Sequence, residues 1–162
     1  MKLFLLTILL FFLNGCATTM TSKEVVPHKK PSLTLSQEEK WMKMVGKWYG
    51  EQPTKSGGKR SWIVERNNDG TYLIVFRNYD AEGKISESAE VGQWAVSGPV
   101  YLSMFRGRVR GDKVEQVDPS NPYNYDAYEI LQLDDSIFKY RHYEIGATFV
   151  LKKVADDFKF PE

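Results

Sequence analysis

The amino-acid sequence predicts an all-β fold, an eight-stranded antiparallel up-and-down β-barrel with a short N-terminal helix at one end. Three observations carry that expectation. From Gly46 onward, apolar residues recur with a period of two, the mark of half-buried strands. Turn signals break the pattern at short intervals: Ser56-Gly57-Gly58, Asn67-Asn68-Asp69-Gly70, Asp80-Ala81-Glu82-Gly83, Ser97-Gly98-Pro99, Asp134-Asp135-Ser136 and Ile145-Gly146. Aromatic residues make up 14% of the chain, and they favour pleated surfaces. The connections are too short for parallel crossovers, which need about a dozen residues or more, so consecutive strands pair as a meander. Eight such strands close around an interior wide enough for side chains or one small ligand.

The chain begins with Lys2 and an apolar run from Leu3 to Leu13, broken only by Thr7. As a helix this run would span roughly 16 Å, well short of a hydrocarbon core about 30 Å thick. Residues 1–15 therefore read as an export signal and not as a permanent membrane span. The stretch Leu13-Asn14-Gly15-Cys16 resembles the lipobox of bacterial lipoproteins. That resemblance implies cleavage before Cys16 and acylation of that cysteine, with palmitate as the lipid. The alternative is an ordinary export signal with a chance cysteine. Ala17 stands where an Asp often retains such proteins at the inner membrane, so for a source with two membranes the resemblance implies the periplasmic face of the outer one. Cys16 is the only cysteine, which excludes an intramolecular disulfide despite the export route.

Residues 16–35 carry Thr, Ser, Lys, Pro27 and Pro31 without an apolar period and read as a flexible tether. Its His28, Lys29 and Lys30 fit a solvated linker better than a metal or lipid-phosphate site. Ser36-Gln37-Glu38-Glu39 is a capping box, so a helix begins after Ser36, with Trp41, Met44 and Val45 on one face. Strands follow at about 46–52, 59–66, 71–79, 84–97, 100–106, 124–133, 136–144 and 147–154, giving a barrel domain over 36–155 and a C-terminal tail at 156–162. Between Arg106 and Tyr123 lies one long connection, rich in arginine and then in Pro, Ser and Asn. It reads as a mobile flap over the barrel mouth. Alternatively, residues 106–117 extend the fifth strand and start another.

Gly46-x-Trp48 after a short helix, the eight-strand meander, its glycine-bearing hairpins and the lipoprotein signal together resemble the lipocalin and wider calycin families. The resemblance spans residues 36–154. It implies a barrel that holds a small hydrophobic or amphiphilic ligand, with Gly46 and Trp48 as structural residues at its closed end. Three features depart from the main type. No Thr-Asp-Tyr-like motif occurs mid-chain, and Val154 is too near the end for a long C-terminal helix. Where that type packs an Arg on the first-strand Trp, this chain offers Lys152, Lys153 or Arg141.

Alternation groups side chains by face without saying which face is inward. Trp62, Tyr72, Phe76, Trp94, Tyr101, Tyr128 and Tyr140 are the candidate cavity lining, an apolar set with a few hydroxyls. They could equally fill a solid core. In an extended segment Arg106, Arg108 and Arg110 point the same way; Arg106 and Arg108 are then candidates for meeting an acidic headgroup, or they belong to a solvated loop. The 22 basic and 21 acidic residues nearly balance, which argues against a nucleic-acid partner. The folded part has one histidine, His142, and no thiol, so neither a metal site, a cofactor nor enzymatic activity is expected. Two function classes remain: a membrane-tethered binding module, or a filled barrel that docks envelope partners.

Overall fold

The structure, a computed structural model, describes residues 34–161. The expected export signal, Cys16, His28, Lys29, Lys30 and most of the expected tether lie outside the described residues. Helix α1 (Gln37–Met44) begins at the capping box. Ser36 Oγ accepts from Glu39 N at 3.1 Å, and Glu39 Oε2 accepts from Ser36 N at 2.6 Å.

Nine strands follow among the described residues: β1 (Gly46–Pro53), β2 (Lys59–Arg66), β3 (Thr71–Tyr79), β4 (Ile85–Ser97), β5 (Val100–Arg110), β6 (Lys113–Gln116), β7 (Tyr125–Leu133), β8 (Ile137–His142) and β9 (Thr148–Lys153). Strands β1 to β5 pair consecutively, β5 pairs β7, and β7, β8 and β9 continue the meander, all antiparallel. The barrel closes where Trp48, Tyr49 and Gly50 face Lys153, Lys152 and Leu151. Eight strands thus form a closed barrel, and β6, paired only with β5, is the one strand among the described residues that keeps a free edge.

The ninth strand corrects the reading of residues 106–123 as a mobile flap. β5 runs on to Arg110, turns at Gly111 and returns as β6, with Gly107 to Arg110 facing Gln116 to Lys113. A 3-10 turn at Pro122–Asn124 then leads into β7. The turn dipeptide Gly111-Asp112 completes a hairpin, so the arginine-rich stretch is paired strand rather than loop.

Inward faces are settled by burial. On β3, Tyr72 is 7% exposed and its neighbour Leu73 is 38% exposed. The buried set includes Trp48, Trp62, Val64, Trp94, Tyr101, Ile130, Phe138, Tyr140 and Leu151. On the outside, Phe158 and Phe160 of the C-terminal tail pack on Tyr49, with ring centroids 5.3 and 6.4 Å away, and Arg77 lies over Phe160.

Helix α1 seals one end. Trp41 stacks on Trp94 at 4.1 Å, and the Trp41 Nε1–H donates to Asn68 Oδ1 at 3.0 Å. Trp48 is wholly buried beneath the helix and donates from Nε1 to the Met44 carbonyl at 2.9 Å. Lys153 places its ammonium 4.7 Å from the Trp48 ring centroid and donates to the carbonyls of Val45 and Lys43. These bonds satisfy carbonyls that the helix end leaves free. Gly46 makes the junction possible: its φ is +98°, and a Cβ there would lie 3.0 Å from Lys153 Nζ. Trp48→Ala should therefore cost about 3–5 kcal/mol, read as a lower urea midpoint at unchanged slope. A loss below about 1 kcal/mol would show that the junction does not hold the barrel together.

Candidate functional site

The barrel interior contains two adjoining cavities. The deeper one, about 130 Å³, reaches from Val64, Arg66, Tyr72 and Tyr101 near the helix-covered end to Glu90 and Asp126 toward the other. The second, about 200 Å³, opens among Gln52, Arg60, Trp62 and Phe149 at the mouth. Ile74, Phe76, Tyr128 and Tyr140 line both. Strand pairing explains why these residues converge. Arg60, Trp62, Val64 and Arg66 alternate along one face of β2, and Trp62 and Val64 face Phe76 and Ile74 on β3.

An aromatic ladder runs between the cavities. Tyr101 stacks on Tyr128 at 5.3 Å, Tyr128 meets Tyr140 edge-on at 5.0 Å, and Tyr140 stacks on Phe149 at 5.3 Å. Phe149 in turn meets Trp62 at 6.0 Å. Gly92 supplies the space for Tyr72, since a Cβ there would fall 2.5 Å from the phenol oxygen. Burial pushes the Tyr72 hydroxyl up to about 12, and it raises those of Tyr128 and Tyr140 as well.

Charged groups sit at both ends of this apolar wall. Arg60 lies 4.0 Å over the Phe76 ring, and its Nε has no partner among the described residues. Burial raises the Glu90 carboxyl above its ordinary range, against the pull of Arg108 and Arg60. His142 Nε2 lies 3.1 Å from Asp126 Oδ1, while its Nδ1 accepts from the backbone N–H groups of Glu144 and Ile145 at 3.1 and 3.4 Å. With Nδ1 taken up as an acceptor, Nε2 carries the proton toward Asp126, and His142 acts as a turn clamp. Among the described residues, no three His, Cys, Asp or Glu side chains converge as a metal site.

Of the sequence-predicted lining, Trp62, Tyr72, Phe76, Tyr101, Tyr128 and Tyr140 all border the interior cavities. Trp94 lies elsewhere, buried under the helix with its Nε1 donating to the Asn67 carbonyl at 3.2 Å. The arginine row is corrected. Register shifts between Val91 and Gly92, so Gly92 faces Phe105 while Val91 faces Gly107, and Arg106 is the extra residue of a β-bulge. Next to inward Phe105, Arg106 points outward, where it donates to Gln93 Oε1 at 3.2 Å and covers Tyr125. Arg108 instead pairs with Glu90, which lines the deeper cavity, and Arg110 bonds Glu115 at 3.5 Å. Sequence reasoning missed Arg60 and Arg66. Their shared parity with Trp62 and Val64 was the available signal.

Two shallow grooves of about 530 Å³ each mark the outer wall and meet at Leu73. One runs beneath Phe158 and Phe160 over Ile63 and Val75, and the other passes between Val91 and the β6 hairpin residues Val114 and Val117.

The closed eight-strand meander, the helix at its end and the buried first-strand Trp48 decide the architecture. The fold is a lipocalin-like barrel. No family model matches the chain, and no curated protein does. Among solved structures, a lipocalin-like protein from Bacteroides uniformis is similar over 69% of this chain and 99% of its own length, at 16% identity and a TM-score of 0.41.

The tyrosine shifts make the lipocalin-like barrel sensitive to alkali. Tyr72 ionises near 12 when folded and near its ordinary value of about 10 when unfolded. Its contribution to stability is complete below about pH 10 and is lost as pH rises toward 12. Burial lowers the Lys153 value, which gives an opposite slope, but that slope is common to wild type and a Tyr72 variant. Tyr72→Phe should thus lose less stability than wild type between pH 9 and 11.5, measured by urea unfolding. Equal losses would place the Tyr72 hydroxyl in water.

Proposed function

We propose that this chain is a lipid-anchored protein of the bacterial envelope whose lipocalin-like barrel binds a small hydrophobic or amphiphilic ligand. The pair of aromatic-walled cavities sharing Ile74, Phe76, Tyr128 and Tyr140 carries this reading. Together they reach the lower edge of small-molecule sites, about 300 Å³. That size admits a medium acyl chain and excludes a large polycyclic ligand. Eight methylenes would contribute roughly 6 kcal/mol at about 0.8 each, and the association cost consumes much of this. Affinity in the micromolar range or weaker is expected. The lipobox-like Leu13-Asn14-Gly15-Cys16 supports anchoring, with Cys16 as the acylated residue and the outer membrane as the destination.

Two experiments test the two halves of this reading. Cys16→Ser should leave the precursor uncleaved and abolish palmitate incorporation in cells; labelling at the wild-type level would remove the anchor. Titration with decanoate or lysophosphatidylcholine should shift the emission of Trp62, which lines the mouth-side cavity. Ile74→Phe adds bulk to the shared wall and should weaken binding by about tenfold, or 1.4 kcal/mol. No spectral response to any amphiphile would end the ligand-binding reading.

A second reading has its own observation. The outer grooves around Leu73 are each larger than the interior cavities, and exposed apolar surface of that kind marks docking sites. A barrel that binds no amphiphile, but whose cross-links in intact envelopes disappear with Leu73→Asp, would be a docking protein.

A further inference from the structure

Strand β6 pairs with β5 along one edge and leaves its other edge open. All four of its residues, Lys113 to Gln116, are exposed. The hairpin fixes which backbone groups face outward. Arg110 opposes Lys113 across the turn at Gly111 and Asp112, and the Val117 N–H donates to the Arg106 carbonyl at 3.0 Å. Residues of antiparallel strands alternate between bonding the partner and pointing away from it. Lys113, Glu115 and Val117 therefore bond β5, while the N–H and C=O groups of Val114 and Gln116 point to the free edge. Side chains alternate as well. Val114, which is 48% exposed, and Gln116 line the outer groove that Leu73 and Val91 also border. Lys113 and Glu115 share the other face with their cross-strand partners Arg110 and Arg108. Lys113 makes no ion pair among the described residues, and Glu115 meets only Arg110, at 3.5 Å between exposed side chains.

We propose that this edge is a dimer interface, at which β6 pairs antiparallel with β6 of a second copy of the chain across a two-fold axis at Val114. The proposal goes beyond the ligand-binding reading and holds whether or not the barrel is occupied. Parity and charge select the register. Bonded pairs across the new seam must join residues whose backbone groups point outward, which leaves three symmetric arrangements. With Val114 on Val114, each Lys113 stands opposite the Glu115 of the other copy. With Val114 on Gln116, the two Glu115 carboxylates face each other directly, which is destabilising. With Gln116 on Gln116, Glu115 faces Val117 and Lys113 falls opposite Pro119, beyond the strand. Only the first arrangement supplies two complementary charge pairs, together with a contact between the two Val114 side chains at the rim of the groove. The edge is thus complementary to itself, which is why the partner is a second copy. A short edge bearing lysine ordinarily resists pairing. Here the second Glu115 offsets that lysine, and pairing consumes both edges, so the assembly closes at two copies. Four residues a side bury less than the roughly 1,200 Å² of a standard interface, and the dimer is accordingly weak, with a dissociation constant between micromolar and millimolar.

The test is sedimentation of the intact chain from micromolar to millimolar concentration. Wild type should pass from monomer to dimer across that range. Val114→Pro removes an outward N–H and no bond to β5, so the barrel should stay folded and the chain monomeric. Lys113→Glu and Glu115→Lys each set like charges opposite one another twice, and each alone should weaken dimerisation by at least about tenfold. An equimolar mixture of these two variants should restore it, because a strand with two acidic residues then meets a strand with two basic ones. That rescue belongs to the antiparallel register, and damage to the fold would not produce it. A wild-type chain that remains monomeric at millimolar concentration overturns the proposal. A dimer that survives Val114→Pro does the same, since it places the interface elsewhere. So does a mixture no more dimeric than either charge variant by itself. If Val114→Pro does not fold, the two charge variants, altered only at exposed positions, decide alone.

Discussion

The junction between the last turn of α1, Trp48 and Lys153 is the constraint on which the barrel depends. Closure between β1 and β9 rests on a short seam of Trp48, Tyr49 and Gly50 against Lys153, Lys152 and Leu151. Short seams are weak in hydrogen bonds alone. Here the seam is reinforced because both of its end residues also bind the helix: Trp48 through the Met44 carbonyl, Lys153 through those of Val45 and Lys43. One cation thus lies over the indole, joins the final strand to the first, and neutralises the negative end of the helix. Burial lowers the Lys153 value, with nearby Arg66 acting in the same direction. That cost is offset by the two carbonyl acceptors and by the indole face beneath the ammonium.

Sealing one end leaves the interior open only toward the other. Trp41 stacked on Trp94 and Trp48 beneath Met44 fill the helix side, so interior volume remains only from Arg66 outward. Aromatic rings dominate the wall between Arg66 and the mouth, interrupted by Val64, Ile74 and Ser103 and by the charged Glu90, Asp126 and Arg60. Its hydroxyls are too deeply buried to ionise easily, so at neutral pH they serve as neutral hydrogen-bonding groups in an apolar chamber. An interior of this kind is expensive if its polar groups face nothing. A barrel optimised for stability alone would place Leu or Met at position 66.

Much of the fold was legible in the sequence because it is written in local chemistry. Ser36 with Glu39 marked the helix start, Gly46 and Trp48 the entry into β1, and the Gly-bearing turns the hairpins. These signals act within a few residues. Three features were not legible, each for a physical reason. The two faces of β3 are nearly equal in polarity, so Tyr72, Ile74 and Phe76 could be assigned inward only once their neighbours were in place. The bulge at Arg106 depends on how β5 meets β4, and its single extra residue puts Arg106 and Arg108, which alternation places on one face, on opposite sides of the wall. Arg66 lay in plain alternation with Trp62 and Val64, but the prior that charged residues face water obscured it.

The arginines show how strand geometry assigns roles that composition cannot. Arg106 and Arg108 are separated by one residue, and simple alternation puts them on one face. The bulge instead sends Arg106 to the outer groove and leaves Arg108 facing Glu90 at the rim. Arg66, with no arginine cluster around it, is the one carried into the core. Exposed guanidiniums on the outer wall are solvated and screened, so their pull on an anion is modest. The same group lining a cavity of about 130 Å³ makes no ion pair among the described residues, and a charge there is screened less than one on the outer wall. Depth, more than the number of arginines, therefore determines where the electrostatic field inside this barrel is strongest.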